Sequence, residues 1–239
     1  MLQNLANFFA DNYLATILAA VVSYLFGSIN FAIIVTRLYI RQDIRGLGSG
    51  NAGMTNVMRS VGVVPGIITL VGDIAKAAGA VLASRAIYRA LGGADMLIKM
   101  SGMNSPILIA SYLSGLFCLI GHLWPIYFRF RGGKGVAVTA GMLAVVDWRI
   151  LLILVGIFLL MFIMTRIISV STLTAVALFP LVTYLMYHFH PFREQGMGDT
   201  YVLICTVLSA CYAVIVFIMH RENIKRIIKG EEKRLKLKK

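Results

Sequence analysis

Apolar stretches of bilayer length alternate with short polar segments along this chain. They predict helices near Tyr13–Tyr39, Val61–Ser84, Pro106–Phe128, Val136–Val146, Ile150–Thr165, Val170–Tyr187 and Tyr201–Met219. Crossing the hydrocarbon core takes roughly 20 apolar residues, and the fourth run is too short to do so alone. Its 11 residues reach about 16 Å at the 1.5 Å rise of an α-helix. Fusing it with the fifth run places Asp147-Trp148-Arg149 in mid-bilayer and leaves six crossings; keeping it separate gives seven.

Basic residues choose between the two. With seven crossings and the N-terminus outside, 17 Lys or Arg fall inside, nine of them in the tail after Met219. Only Arg85, Arg89, Lys99, Arg149 and Arg193 fall outside, and Lys76 stays within a span. Six crossings would export the basic tail, against the positive-inside rule. The expectation is an all-α polytopic integral membrane protein with seven transmembrane helices, N-terminus outside and C-terminus cytoplasmic. Residues 1–239 form one membrane-embedded domain, with 219–239 as a basic cytoplasmic tail facing lipid headgroups.

Composition agrees. The chain is 59% hydrophobic and 14% charged, with a mean hydropathy of +0.83, where a soluble domain carries about a quarter charged residues. A net charge of +13 would suggest nucleic acid in a soluble protein. Here the cations flank apolar runs without a basic–aromatic surface pattern, so the expected partner is the lipid bilayer and no nucleic acid. Cys118, Cys205 and Cys211 lie inside apolar runs without metal-ligand spacing and read as small buried hydrophobes. Met1–Asn12 has no basic n-region and no small-residue cleavage site, so no cleaved signal peptide is expected.

Each unusual polar cluster falls on the inner side of this topology. In Gly48-Ser49-Gly50-Asn51-Ala52-Gly53-Met54-Thr55-Asn56, three glycines in six residues permit positive φ and a concavity of backbone N–H groups suited to phosphate. Ser49, Asn51, Thr55 and Asn56 add donors, and Arg59 offers a fork for phosphate oxygens. An ordinary Gly/Ser/Asn loop is the alternative. Gly132-Gly133-Lys134-Gly135 leads into the short fourth run. It lacks Walker A spacing, but a lysine among glycines at a helix start can meet a phosphate as a point charge; a turn with one snorkelling lysine is the plainer reading. Thr165–Ser171, with Ser169, is a brief polar loop that needs outside support to be more than a connection. At His220-Arg221-Glu222-Asn223, a helix places His220 and Asn223 on one face, where the imidazole could take a proton or bind phosphate, or merely sit at the interface.

Asp73 and Lys76 lie three apart within the second run. Charges at that depth are expensive, and the pair reads as structural support that orients the phosphate-binding loop. His122, His188 and His190 have no partners at ligand spacing and receive no role.

Taken in order, GSGNAGMTNVMR, GGKGVAVTAG and HRENIKR resemble the acyl-phosphate:glycerol-3-phosphate acyltransferase family, the PlsY type. Gly27-Ser28-Ile29-Asn30-Phe31 and Asp43-Ile44-Arg45 are similar to it too, so the resemblance covers nearly the whole chain. Met54 stands where the family usually has alanine, and Val138 interrupts its usual GVAT; neither removes a polar group, and both bear on acyl-chain preference. The resemblance implies a seven-helix enzyme of the bacterial cytoplasmic (inner) membrane, with its active site at the cytoplasmic face. It would move a fatty acyl group from acyl phosphate to the sn-1 hydroxyl of glycerol 3-phosphate, giving lysophosphatidic acid and phosphate in the first step of phospholipid synthesis.

Two phosphate-bearing substrates, one with a long alkyl chain, call for a cationic, donor-rich pocket open laterally to lipid. Arg59, Lys134 and His220 converging between helices would supply it, with positioning and charge stabilisation doing most of the work. Arg59, Lys134, Ser169, His220 and Asn223 are expected to bind glycerol 3-phosphate. Gly48, Ser49, Gly50, Asn51, Gly53, Thr55, Asn56, Gly132, Gly133 and Gly135 are expected at the acyl phosphate. Ser49, Asn51, Arg59, His220 and Asn223 form the catalytic set. The resemblance implies that a substrate phosphate accepts the proton; His220 as general base competes. No histidine has an aspartate five residues on, which excludes the HxxxxD acyltransferases. No Asp cluster supplies a metal site, so no metal and no cofactor are expected. A transporter of organic anions would use the same cations, but the polar residues gather at one face and no repeat of broken helices occurs. Transient contact with the upstream acyl-phosphate synthase is a further expected partnership.

Overall fold

The computed structural model describes residues 2–92, 106–189 and 198–234. His190 and the loop cations Lys99 and Arg193 lie outside the described residues, as does the end of the basic tail. The described chain is helical and divides into two compact units, Met1–Val146 and Asp147–Lys239.

The first unit holds α1 (Leu2–Asp11), α2 (Tyr13–Ser28), α3 (Phe31–Ile40), α4 (Met54–Ser60), α5 (Val63–Leu91), α6 (Pro106–Leu123) and α7 (Val136–Val146). The predicted run Tyr13–Tyr39 is broken at Ile29-Asn30. Asn30 leaves the helix with extended φ/ψ, and its side chain accepts from Ile33 N at 3.1 Å, capping α3. Small residues set the packing in this unit. Ala15, Ala19, Ser23 and Gly27 recur every four residues on the buried side of α2. There is no room for a methyl between Gly27 and the Cys118 carbonyl, or between Gly121 and the Tyr24 carbonyl. Lipid tails are as apolar as leucine, so close backbone approach, rather than burial of apolar surface, holds such helices together. A Ser23–Ser114 hydroxyl bond of 2.6 Å crosses the same contact.

The second unit holds α8 (Trp148–Thr165), α9 (Ile168–His188), α10 (Asp199–Met219) and α11 (Arg221–Ile228). Asp147 caps α8, accepting from Arg149 N at 3.0 Å and pairing with the Arg149 guanidinium at 2.9 Å. Arg166 takes left-handed φ/ψ between α8 and α9, and Phe179 meets Tyr212 edge-on between α9 and α10.

Six helical segments among the described residues are long and apolar enough to cross a membrane: Tyr13–Ile40, Val63–Leu91, Pro106–Phe128, Trp148–Thr165, Ile168–His188 and Asp199–Met219. The seventh expected crossing is α7, with 11 residues. Leu14, Ile17, Leu18 and Val21 on α2, and Leu159, Leu160 and Ile163 on α8, stay exposed, as apolar side chains do when lipid is the solvent.

Candidate active site

The loop between α3 and α4 begins at a charge clamp. Asp43 accepts from the Arg45 backbone N–H at 3.0 Å and takes the Arg45 guanidinium on both oxygens, Nε at 2.9 Å and Nη2 at 2.8 Å. Arg37 adds a third cation contact at 3.0 Å. The Arg45 fork holds the Asp43 carboxyl far below the usual carboxylate range, and Asp43 in turn raises the Arg45 guanidinium. The remaining arm, Arg45 Nη1, donates to the carbonyls of Phe128 at 2.7 Å and Arg131 at 3.1 Å. Arg45 therefore ties the first glycine loop to the segment that carries the second. That segment needs the tie: Arg129 and Phe130 both sit at positive φ, a costly backbone for side chains with a Cβ.

Gly48 and Gly50 take φ of 56° and 72°, the freedom their residue type provides. A methyl at Gly48 would also strike the Asn56 amide oxygen. The expected open concavity of amides is turned inward instead. Asn56 Oδ1 accepts from Ser49 N at 2.9 Å, Gly50 N donates to Leu47 O at 2.9 Å, and Gly53 N donates to Asn51 O at 3.1 Å. The Asn56 amide nitrogen shares its two hydrogens among the carbonyls of Ile44, Leu47 and Asn51. Asn56, expected at the acyl phosphate, shapes the loop from within. The reason is local: the loop covers a buried cluster of Ile33, Ile44, Ala52 and Val57, where unpaired backbone groups are costly. Ser49 and Arg59 remain exposed, and Asn51 and Thr55 are partly exposed.

The second loop is strapped to the end of α6. Gly132 N donates to Leu123 O at 3.0 Å and Gly133 N to His122 O at 3.1 Å. Gly135 has a φ of 88° and precedes α7, where Thr139 N donates back to its carbonyl at 2.9 Å. Lys134, partly exposed, stands between these two turns.

Beneath both loops lie three buried titratable groups. Lys76 Nζ is 2.8 Å from Asp73 Oδ1, 2.6 Å from the Ile29 carbonyl and 2.9 Å from His122 Nδ1. The Lys76–Asp73 contact is an ion pair of poor hydrogen-bond direction, since Asp73 Oδ1 has no aligned donor.

In the second unit, Ser169 and Asn223 meet at one oxygen. Ser169 Oγ donates to Glu232 Oε1 at 2.7 Å, Asn223 Nδ2 to the same atom at 2.6 Å, and Arg226 Nε to Glu232 Oε2 at 2.6 Å. Burial alone would raise the Glu232 carboxyl, but the bonds from Ser169, Arg226 and Asn223 outweigh it and the group is lowered. His220 forms the joint between α10 and α11, buried, with Nδ1 2.8 Å from the Val216 carbonyl. A carbonyl only accepts, so Nδ1 carries a proton and donates it there. No group of three His, Cys, Asp or Glu that could hold a metal ion occurs among the described residues.

A family model described as glycerol-3-phosphate acyltransferase matches residues 17–230. The chain belongs to the glycerol-3-phosphate acyltransferase family. Glycerol-3-phosphate acyltransferases of Neisseria meningitidis and Caulobacter vibrioides are similar to it. The first is 35% identical over 217 residues, covering 91% of this chain and 96% of the relative. The second is 38% identical over 238 residues, covering 100% and 94%. The crystal structure of PlsY, an integral membrane glycerol 3-phosphate acyltransferase, is similar in its glycerol 3-phosphate form, with a TM-score of 0.74 and 27% identity over 92% of this chain and 96% of that one. Its lysophosphatidic acid form gives 0.71 and 26%, over 92% and 95%. This is an integral membrane acyltransferase, as its sequence motifs indicated.

Four residues of the acyltransferase carry more of the local geometry than their sequence context suggested: Arg45, His122, Arg226 and Glu232. Arg226 had a signal, since it lies three residues beyond Asn223 and so shares its face of α11. Glu232 sits in a charged tail that reads as solvated, and His122 ends an apolar run without a nearby polar partner in sequence.

Proposed function

We propose that this acyltransferase takes its acyl group from acyl phosphate and places it on the sn-1 hydroxyl of glycerol 3-phosphate, the first step of phospholipid synthesis. The hydroxyl oxygen attacks the acyl carbonyl carbon, the carbon–oxygen bond to phosphate breaks, and inorganic phosphate leaves. The hydroxyl proton passes to a phosphate oxygen. A mixed anhydride has so good a leaving group that alignment and charge neutralisation carry most of the rate.

Arg59, Lys134, Ser169, His220 and Asn223 bind the glycerol 3-phosphate headgroup in this reading. Ser49 and Asn51, with the Gly48–Gly53 and Gly132–Gly135 loops, hold and orient the acyl phosphate. His220 then acts as a ligand, its Nε2 lone pair being the competing proton acceptor. No metal and no cofactor take part. The chain crosses the bacterial inner membrane seven times, α7 being the short crossing, with the N-terminus outside and the loops and basic tail at the cytoplasmic face. The upstream acyl-phosphate synthase makes transient contact there.

One observation carries this reading: Ser169 and Asn223, singled out as phosphate ligands, donate to a single carboxylate oxygen. The cluster is thus already built to hold an anion. The test is phosphate release by purified protein given palmitoyl phosphate and glycerol 3-phosphate, with palmitoyl-CoA as comparison donor. Release that depends on both substrates and yields lysophosphatidate is expected. Turnover only with the CoA donor would overturn the donor assignment.

A further inference from the structure

Three buried titratable groups meet beneath the loops. Asp73, Lys76 and His122 are each at most 5% exposed, at a depth where uncompensated charge costs several kcal/mol or more. Asp73 and Lys76 offset each other's charge as a pair, and charge balance needs no histidine. His122 is nevertheless drawn in, with Nδ1 2.9 Å from Lys76 Nζ and 3.7 Å from Asp73 Oδ1. An ammonium has only hydrogens to offer, so Lys76 donates and Nδ1 accepts. The neutral ring then carries its proton on Nε2, and its orientation is set.

The other edge of that ring is where the loops meet. A methyl on Gly133 would collide with His122 Nε2 and come within 2.6 Å of the Ala52 carbonyl, in the first glycine loop. Gly133 therefore lies in a slot between the His122 ring and the backbone of the first loop. The same residue is strapped by its amide to the His122 carbonyl, and Gly132 is pressed against that carbonyl as well. Lys76 extends the chain of contacts to Ile29 O, at the break between α2 and α3. One imidazole thus links the membrane-embedded ion pair, the helix break and both glycine loops.

We infer that His122 is a positioning residue: its ring, held by Lys76 and Asp73, sets the spacing between the Gly132–Gly135 loop and the Gly48–Gly53 loop. It touches no substrate. Its effect reaches the chemistry through Lys134, one residue beyond Gly133. This rests on the assignment of Lys134 and these loops to the phosphate-bearing substrates. The expected signature is loss of apparent affinity for glycerol 3-phosphate, rather than loss of fold or of maximal turnover.

The experiment compares wild type with His122→Phe and His122→Asn, purified in detergent. Glycerol 3-phosphate is titrated at saturating palmitoyl phosphate, and hydrogen exchange is followed at residues 130–136. Phenylalanine keeps the ring and loses both nitrogens; asparagine keeps an acceptor where Nδ1 lay. His122→Phe is expected to raise KM about tenfold or more while kcat changes far less, the size of loss a sub-ångström misplacement brings. It should also speed exchange at Gly132 and Gly133, and His122→Asn should recover part of both. An unmoved KM with wild-type exchange overturns the inference. So does a fall in kcat that tracks melting temperature while KM stays put. If His122→Phe does not fold, the double variant Asp73→Asn/Lys76→Met removes the ring's anchor as a neutral pair and must give the same KM rise. Turnover by wild type decides the proposed reaction separately; in a chain without turnover, exchange at Gly132 and Gly133 alone decides whether His122 holds the loop.

Discussion

Gly133→Ala is the smallest change that tests the slot between the loops. Gly133 is not among the residues at positive φ, so its backbone accepts alanine and only space opposes it. The added carbon would lie 2.6 Å from the Ala52 carbonyl oxygen, about 0.8 Å inside the 3.4 Å at which ordinary contact begins, and would also meet the His122 ring. A carbonyl and a wedged imidazole are not flexible chain ends, so the loops must part by most of an ångström. Overpacking of this kind costs about 1–3 kcal/mol of stability, which a folded membrane protein can survive. The functional cost is larger, since a 1 Å misplacement of a positioning group loses on the order of 100-fold in rate. We expect kcat/KM for glycerol 3-phosphate to fall about 10- to 100-fold on that basis, mostly through KM. The assay is phosphate release against glycerol 3-phosphate concentration, with melting temperature measured in parallel. Gly156→Ala, in α8 with nothing within 4 Å of the new carbon, is the control. It should leave kcat/KM unchanged and gain up to about 1 kcal/mol of stability from helix propensity. A folded Gly133→Ala protein with kcat/KM within twofold of wild type would refute the reasoning.

Three further outcomes are expected. Arg59→Ala should weaken glycerol 3-phosphate binding about 10- to 100-fold, the loss of a hydrogen-bonded charge worth roughly 1.5–3 kcal/mol; unchanged binding by calorimetry would remove Arg59 from the substrate. His220→Gln should keep near-normal kcat at saturating substrate if a phosphate takes the proton, whereas a fall of about 100-fold or more would assign the base to Nε2. The Glu232 carboxyl is lowered on folding, so its stabilisation is complete above the ordinary glutamate range and is lost as pH falls through the lowered value. Glu232→Gln should therefore melt below wild type at neutral pH, with the gap closing on acidification; a pH-independent gap in melting temperature would contradict this.

Much of the fold was legible because a bilayer makes it so. Every backbone polar group must be satisfied within its own segment in lipid, which leaves helices as the only reading of long apolar runs. Asn30 was not legible as a helix break, since one or two polar residues in an apolar run carry no periodic signal until the Asn30 side chain is seen capping α3. The polar clusters were legible as clusters, since glycines and donors crowd at Gly48–Asn56 and Gly132–Gly135. Their inner wiring was not. Asn56 has the same chemistry whether it faces a phosphate or the carbonyls of Ile44, Leu47 and Asn51, and only the loop's path over its apolar floor turned it inward.

What the sequence determined alone, then, is what depends on residue type and order: helices of bilayer length, loops able to take positive φ, and motifs that place the chain in its family. What the tertiary structure decided is pairing across long separations. Lys76 and His122 are 46 residues apart, Arg45 and Phe128 are 83 apart, and Ser169 and Glu232 are 63 apart. No local spacing encodes such contacts, since they exist only after helices with small-residue faces have packed closely enough to bring them within hydrogen-bond reach.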